Sequence, residues 1–94
     1  MSATRARLAA LVRIRLPRCP GLYRDEIVRR LAATPCPPAL EHKAVEEMAR
    51  AVIRHQLTDY DRLMQKHGLT RDEARIAVEE EVAEWLAEWR HAAM

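Results

Sequence analysis

"RHQLTDYDRLMQKHGLTRDE", residues 54–73, decides how this chain folds. Neither glycine nor proline occurs between Ala39 and His67. An unbroken helix over 38–67 would be about 45 Å long at ~1.5 Å per residue. A compact chain of this length has a diameter near ~32 Å. The helix must therefore break or project toward a partner. Thr58 is the place for the break, because threonine is a good N-cap, and Asp59 and Asp61 then fall in a first turn that the helix dipole favours. Gly68 offers the left-handed residue that ends the second piece, with Leu69 as its apolar follower. Thr70 and Glu73 form a T-x-x-E capping box that starts the next helix.

Outward from this stretch, the pattern predicts an all-α bundle of four to five helices at about 3–14, 22–33, 38–56, 58–67 and 71–91. Residues 1–20 read as a basic arm or helix and 21–94 as one helical domain. Leu8, Leu11 and Val12 have helical spacing, but Val12-Arg13-Ile14-Arg15-Leu16 alternates like a strand, so an extended exit is the alternative there. Pro17 and Pro20 stop that segment. Leu22, Ile27, Val28 and Leu31 gather on one side of the second helix. Val45, Met48, Ala49 and Val52 form the inner stripe of the third, with Lys43, Glu46, Glu47, Arg50 and Arg54 outside. In the last helix Ala74, Val78, Val82, Trp85, Leu86 and Trp89 line one face, and both tryptophans read as core. Glu80, Glu84 and Glu88 form a row on the other side.

The formal net charge of +2 hides an asymmetry. Residues 1–30 carry eight arginines against Asp25 and Glu26, a net of +6, and the remainder nets −4. Either the two ends attract each other, within one chain or between two, or the basic end meets a polyanion. Two cysteines, Cys19 and Cys36, are too few for a secreted disulfide scaffold, so a reducing cytoplasm is expected. They lack zinc-ligand spacing, and neither a metal nor a cofactor is expected. The acid-free, Arg-rich start also resembles an organellar transit peptide. No apolar run approaches the roughly 18–20 residues that span a bilayer, so no membrane role is expected.

His55, Asp59, Tyr60 and Asp61 are the catalytic candidates. On a continuous helix His55 and Asp59 would both fall inside the apolar arc of Ala44, Met48 and Val52. A buried imidazole and carboxylate would have to satisfy each other. The expected outcome is one polar cluster of His55, Asp59 and Arg75 across the "HGLT" hairpin, with Tyr60 or Asp61 at its rim. One reading of it is a satisfied structural pair beside a helix cap. The other is a His–Asp dyad able to move protons or hold a divalent cation. No serine or cysteine signature accompanies it, and no Gly-rich phosphate loop is present. Arg75 reads either as half of an ion pair or as an anion-binding arginine.

Several of these motifs, Ile53-Arg54-His55, Thr58-Asp59-Tyr60-Asp61, Arg71 to Arg75 and Trp89-Arg90, carry a resemblance. Residues 51–90 are similar to the C-terminal signature of the bacterial and fungal domain-of-unknown-function family numbered twenty-two ninety-three. The upstream "CPGLYRDEIVRRLA" matches more loosely, and "TPCPP" departs from that family's Ser/Gly/Arg-rich connector. The resemblance implies a shared fold centred on 54–61 and 71–75, and no activity.

Two function classes follow. The first is a binding or interaction module, contacting nucleic acid or another polyanion through Arg5, Arg7, Arg13, Arg15, Arg54 and Arg75, or contacting a protein partner or a second copy. The second is a small enzyme or metal-binding domain using His55, Asp59 and Asp61. The binding module is preferred, because a chain this small rarely walls off a large pocket. The helix–"GLT"–helix unit is not a groove reader, since its second helix is rich in glutamate that phosphates repel.

Overall fold

In the computed structural model, residues 3–91 are described, and they form five α-helices with no strand among them. The helices are α1 (Ala3–Arg15), α2 (Gly21–Ala33), α3 (Glu41–Leu57), α4 (Tyr60–His67) and α5 (Arg71–Arg90), with a 3-10 turn at Pro38–Leu40 before α3. Each lies within a few residues of its expected span. The molecule is longer than the compact estimate, at 43 × 33 × 23 Å. Helix α1 packs mainly on α2, α2 on α3, and α3 and α4 on α5.

The expected break occurs where the backbone turns extended at Thr58. Thr58 does two jobs there rather than acting as a simple N-cap. Its hydroxyl donates to the Arg54 carbonyl at 2.5 Å, closing α3, and accepts the Tyr60 N–H at 3.2 Å, starting α4. Asp59 holds the N-cap position, and its side chain makes no capping bond. At the far end of α4, Gly68 adopts φ +70° and its N–H turns back to the Leu63 carbonyl. The Leu69 N–H reaches the same carbonyl at 3.2 Å. The capping box then forms in both directions: Thr70 N–H to Glu73 Oε1 at 2.8 Å, and Glu73 N–H to Thr70 Oγ1 at 3.2 Å.

One core runs through the bundle, from Leu8, Val12 and Leu16 through Ile27, Val45, Ala49, Val52 and Ile53 to Val78, Val82, Leu86 and Trp89. Three apolar residues are placed differently from their sequence reading. The alternation at 12–16 does not make a strand; α1 continues to Arg15, the Leu16 N–H bonds the Val12 carbonyl, and Ile14 faces solvent. Leu22 is exposed, because five helical steps separate it from Ile27 by about 140°. Trp85 is exposed while Trp89 is buried. The buried stripe of α5 follows 74, 78, 82, 86 and 89, which leaves Trp85 on its shoulder.

The end of α5 is tied to the α1–α2 loop and to α2. The Arg18 N–H donates to the Trp89 carbonyl at 3.0 Å, and the Trp89 ring stacks on Tyr23 with centroids 5.6 Å apart. Arg18 also pairs with Glu88, Arg90 with Glu46, and Arg7 with Glu41. The basic first third and the acidic remainder thus attract each other within one chain.

Candidate functional site

The break at Thr58 and the hairpin at Gly68 set the site's geometry. Residues Arg50 and Arg54 lie one turn apart on α3, and Arg71 and Arg75 lie one turn apart at the start of α5. Because α3 and α5 pack together, the two pairs meet. Arg54 and Arg75 line three adjoining concavities. The first is a cleft between α3 and α5, shared with Arg50, Asp72, Ile76, Glu79 and Val82. A second, wider groove continues along α3 to Lys43, His42 and Arg15. The third is a polar pocket formed with His55, Tyr60, Asp61, Met64 and Arg71.

The groove carries Arg15, Lys43, Arg50, Arg54 and Arg75 against Glu46 and Glu47. Glu46 is already engaged by Arg90 at 2.5 Å and by Arg50 at 3.2 Å, and these bonds hold its carboxyl below the usual range. Among the described residues, Arg54, Arg71 and Arg75 form no ion pair with a carboxylate. Arg54 instead sits over the buried Tyr60 ring, 5.6 Å from its centroid. Burial, and then the positive charge of Arg75, push the Arg54 guanidinium below its usual pKa. Carboxylates also line these surfaces (Asp72 and Glu79 in the cleft, Glu46 and Glu47 in the groove, Asp61 in the pocket), but cations outnumber them in each, and such an excess creates a potential that favours an anion.

The structure rearranges the His55 cluster. His55 and Asp59 are both exposed and do not face the core. His55 lies within α3, whose buried arc is set by Val45, Ala49, Val52 and Ile53 rather than centred on Met48, so it falls outside the arc; Asp59 lies past the turn at Thr58, which swings it to a new direction. His55 bonds Asp61, with Nδ1 lying 3.1 Å from Oδ1 and 3.3 Å from Oδ2. A carboxylate only accepts, so Nδ1 is the donor and Nε2 the free ring nitrogen. The imidazole also meets Tyr60 edge-on, with centroids 5.1 Å apart. So His55, Tyr60, Asp61 and Arg75 do converge, with Asp61 taking the place expected of Asp59. Among the described residues no group of three or more His, Cys, Asp or Glu side chains is placed to hold a metal ion.

The N-terminal arginines are dispersed. Arg7 is bound to Glu41 by two bonds of 2.7 and 2.9 Å, which hold the Glu41 carboxyl below its usual range. Arg5 and Arg13 are exposed on α1, and Arg15 reaches the groove. Lys43, Arg50 and Arg71 were not singled out from sequence as binding residues. The signal that could have found the arginines is the repeated i, i+4 spacing of Arg50/Arg54 and Arg71/Arg75 on neighbouring helices.

Cys19 is buried, and desolvation pushes its thiol up to about 11; Cys36 is half-buried, and both are free. No described helix is long and apolar enough to cross a membrane. A family model described as "Uncharacterized conserved protein (DUF2293)" matches residues 11–90, which spans every element lining the groove except the first turns of α1. No curated protein and no solved structure matches the chain.

Proposed function

The chain belongs to the DUF2293 family, and from that premise we propose that it is a helical binding module whose α1–α3–α5 face takes the phosphate backbone of a nucleic acid. One observation carries the reading: Arg54 and Arg75 stand side by side, unpaired with carboxylates, where three concave surfaces join. Cations outnumber carboxylates along each of these surfaces, whereas Arg7 and Arg90 are each matched by a glutamate. Arginine and lysine along a groove bind phosphates independently of sequence and release condensed counterions. Arg15 extends the surface from the end of α1; Arg7 is committed to Glu41 and contributes less.

The test is titration of a labelled oligonucleotide by anisotropy at several salt concentrations. Affinity falls steeply with salt, with a slope of roughly 0.7–0.9 per phosphate contacted. Arg54→Gln and Arg75→Gln, alone and together, lower both affinity and slope while the fold is kept. Point changes are required, because removing residues 1–15 would also remove Leu8 and Val12 from the core. Salt-independent binding, or none at low salt, refutes the reading.

A second reading has the His55–Asp61 pair in its favour, since an imidazole oriented by a carboxylate is a recurrent proton-transfer unit. That reading makes His55→Gln lose a turnover that Arg54→Gln retains.

A further inference from the structure

We infer that the pocket of Arg54, Arg71 and Arg75 at one end of the groove receives a terminal phosphate of a nucleic-acid strand, so that the module recognises strand ends. The inference rests on the reading of the groove as a phosphate-backbone surface. The pocket is a separate feature from the groove. It has a volume of about 530 Å³ and adds Arg71, His55 and Asp61 to the two shared arginines. That volume suits a small ligand group and is far more than an ion pair needs.

Charge selects the terminal phosphate over an internal one. Three guanidinium groups line the pocket, and among the described residues one carboxylate lines it, Asp61, which is held by His55. A backbone phosphodiester carries one negative charge. A phosphomonoester carries about 1.5–2 near neutral pH and has three strong acceptor oxygens. The guanidinium fork matches such oxygens in bidentate fashion. A dianion therefore relieves the repulsion among the arginines more completely than a diester does. Arg54 additionally lies over the Tyr60 ring, a contact that restrains it, so less side-chain freedom is lost on binding.

Continuity argues for a strand as the carrier. Arg54 and Arg75 belong to the pocket and to the groove at once. A phosphate seated in the pocket thus has its next residues directed past Arg50 and Lys43 toward Arg15. An isolated phosphate would make no use of that extension.

Calorimetric titration of the whole chain with three short single strands of one sequence tests this. One strand carries a terminal phosphate at its 5′ end, one at its 3′ end, and one has hydroxyls at both. One phosphorylated strand is expected to bind roughly tenfold more tightly than the hydroxyl strand, as for charge-assisted hydrogen bonds gained. Arg71→Gln, which alters the pocket and not the groove, is expected to abolish that preference while keeping the binding of the hydroxyl strand. Lys43→Gln is expected to weaken all strands alike and keep the preference. Equal binding of all three strands by the native chain overturns the pocket and leaves the groove standing. Binding of none overturns both. A phosphoserine peptide that binds as tightly as the phosphorylated strand overturns the assignment to strand ends and gives the pocket to phosphopeptides.

Discussion

Replacing Gly68 by alanine isolates the hairpin that brings Arg71 and Arg75 opposite Arg54. Gly68 has φ +70°, and a Cβ built there meets nothing within 4 Å. The cost is therefore backbone strain alone, with no steric part. An L-residue in the left-handed region costs about 1–2 kcal/mol. Alanine returns about 0.4–1 kcal/mol by restricting the unfolded chain. The net expectation is a loss of about 1 kcal/mol, which lowers the melting temperature of a domain this size by roughly 4–8 °C. Gly21 supplies the control. It opens α2 at negative φ, and an added Cβ would lie 3.5 Å from Arg24 Nη2, an ordinary contact. There the same substitution is expected to raise stability by up to about 0.5 kcal/mol. Gly68→Asn should recover part of the loss, because asparagine tolerates the left-handed region. Urea denaturation of the four proteins measures all of this. A Gly68→Ala protein as stable as the native one would refute the role given to that residue and, with it, the account of how α4 hands over to α5.

Trp89→Ala, which empties a buried and stacked site, is expected to cost about 3–5 kcal/mol in urea denaturation, while Trp85→Ala on the exposed shoulder costs under about 1 kcal/mol. Hydrogen bonds from Arg29 and then Arg30 lower the Glu26 carboxyl from 4.5 to about 2. Its stabilisation is present above 4.5 and is lost as pH falls toward 2, so Glu26→Gln should flatten the melting temperature over that window. A thiol reagent at about pH 8 should modify Cys36 well before Cys19, whose thiol is buried and pushed up to about 11. Mass mapping of the labelled peptides decides that order, and equal rates would place Cys19 outside the core.

Local rules in the sequence were enough for the elements. The capping box at Thr70 and Glu73, the glycine at 68 and the break near Thr58 each depend on groups within a few residues of one another, so their geometry is legible in the chain. The heptad-like stripe through Ala74, Val78, Val82 and Trp89 is legible for the same reason. Exposure at the edges of stripes is not, since Trp85 and Leu22 sit at angles on their helices where only the packing of the neighbouring helices decides what is covered. The site depended on tertiary structure most of all. A helical wheel carries no information past a bend, so the partner of His55 changed from Asp59 to Asp61 once the chain turned at Thr58. Net charge located the basic surface at the N-terminus, yet Arg7 is consumed by Glu41. Arg54, Arg71 and Arg75 form no ion pair among the described residues, and only the packing of α3 against α5 brings residues so far apart in the chain to one pocket.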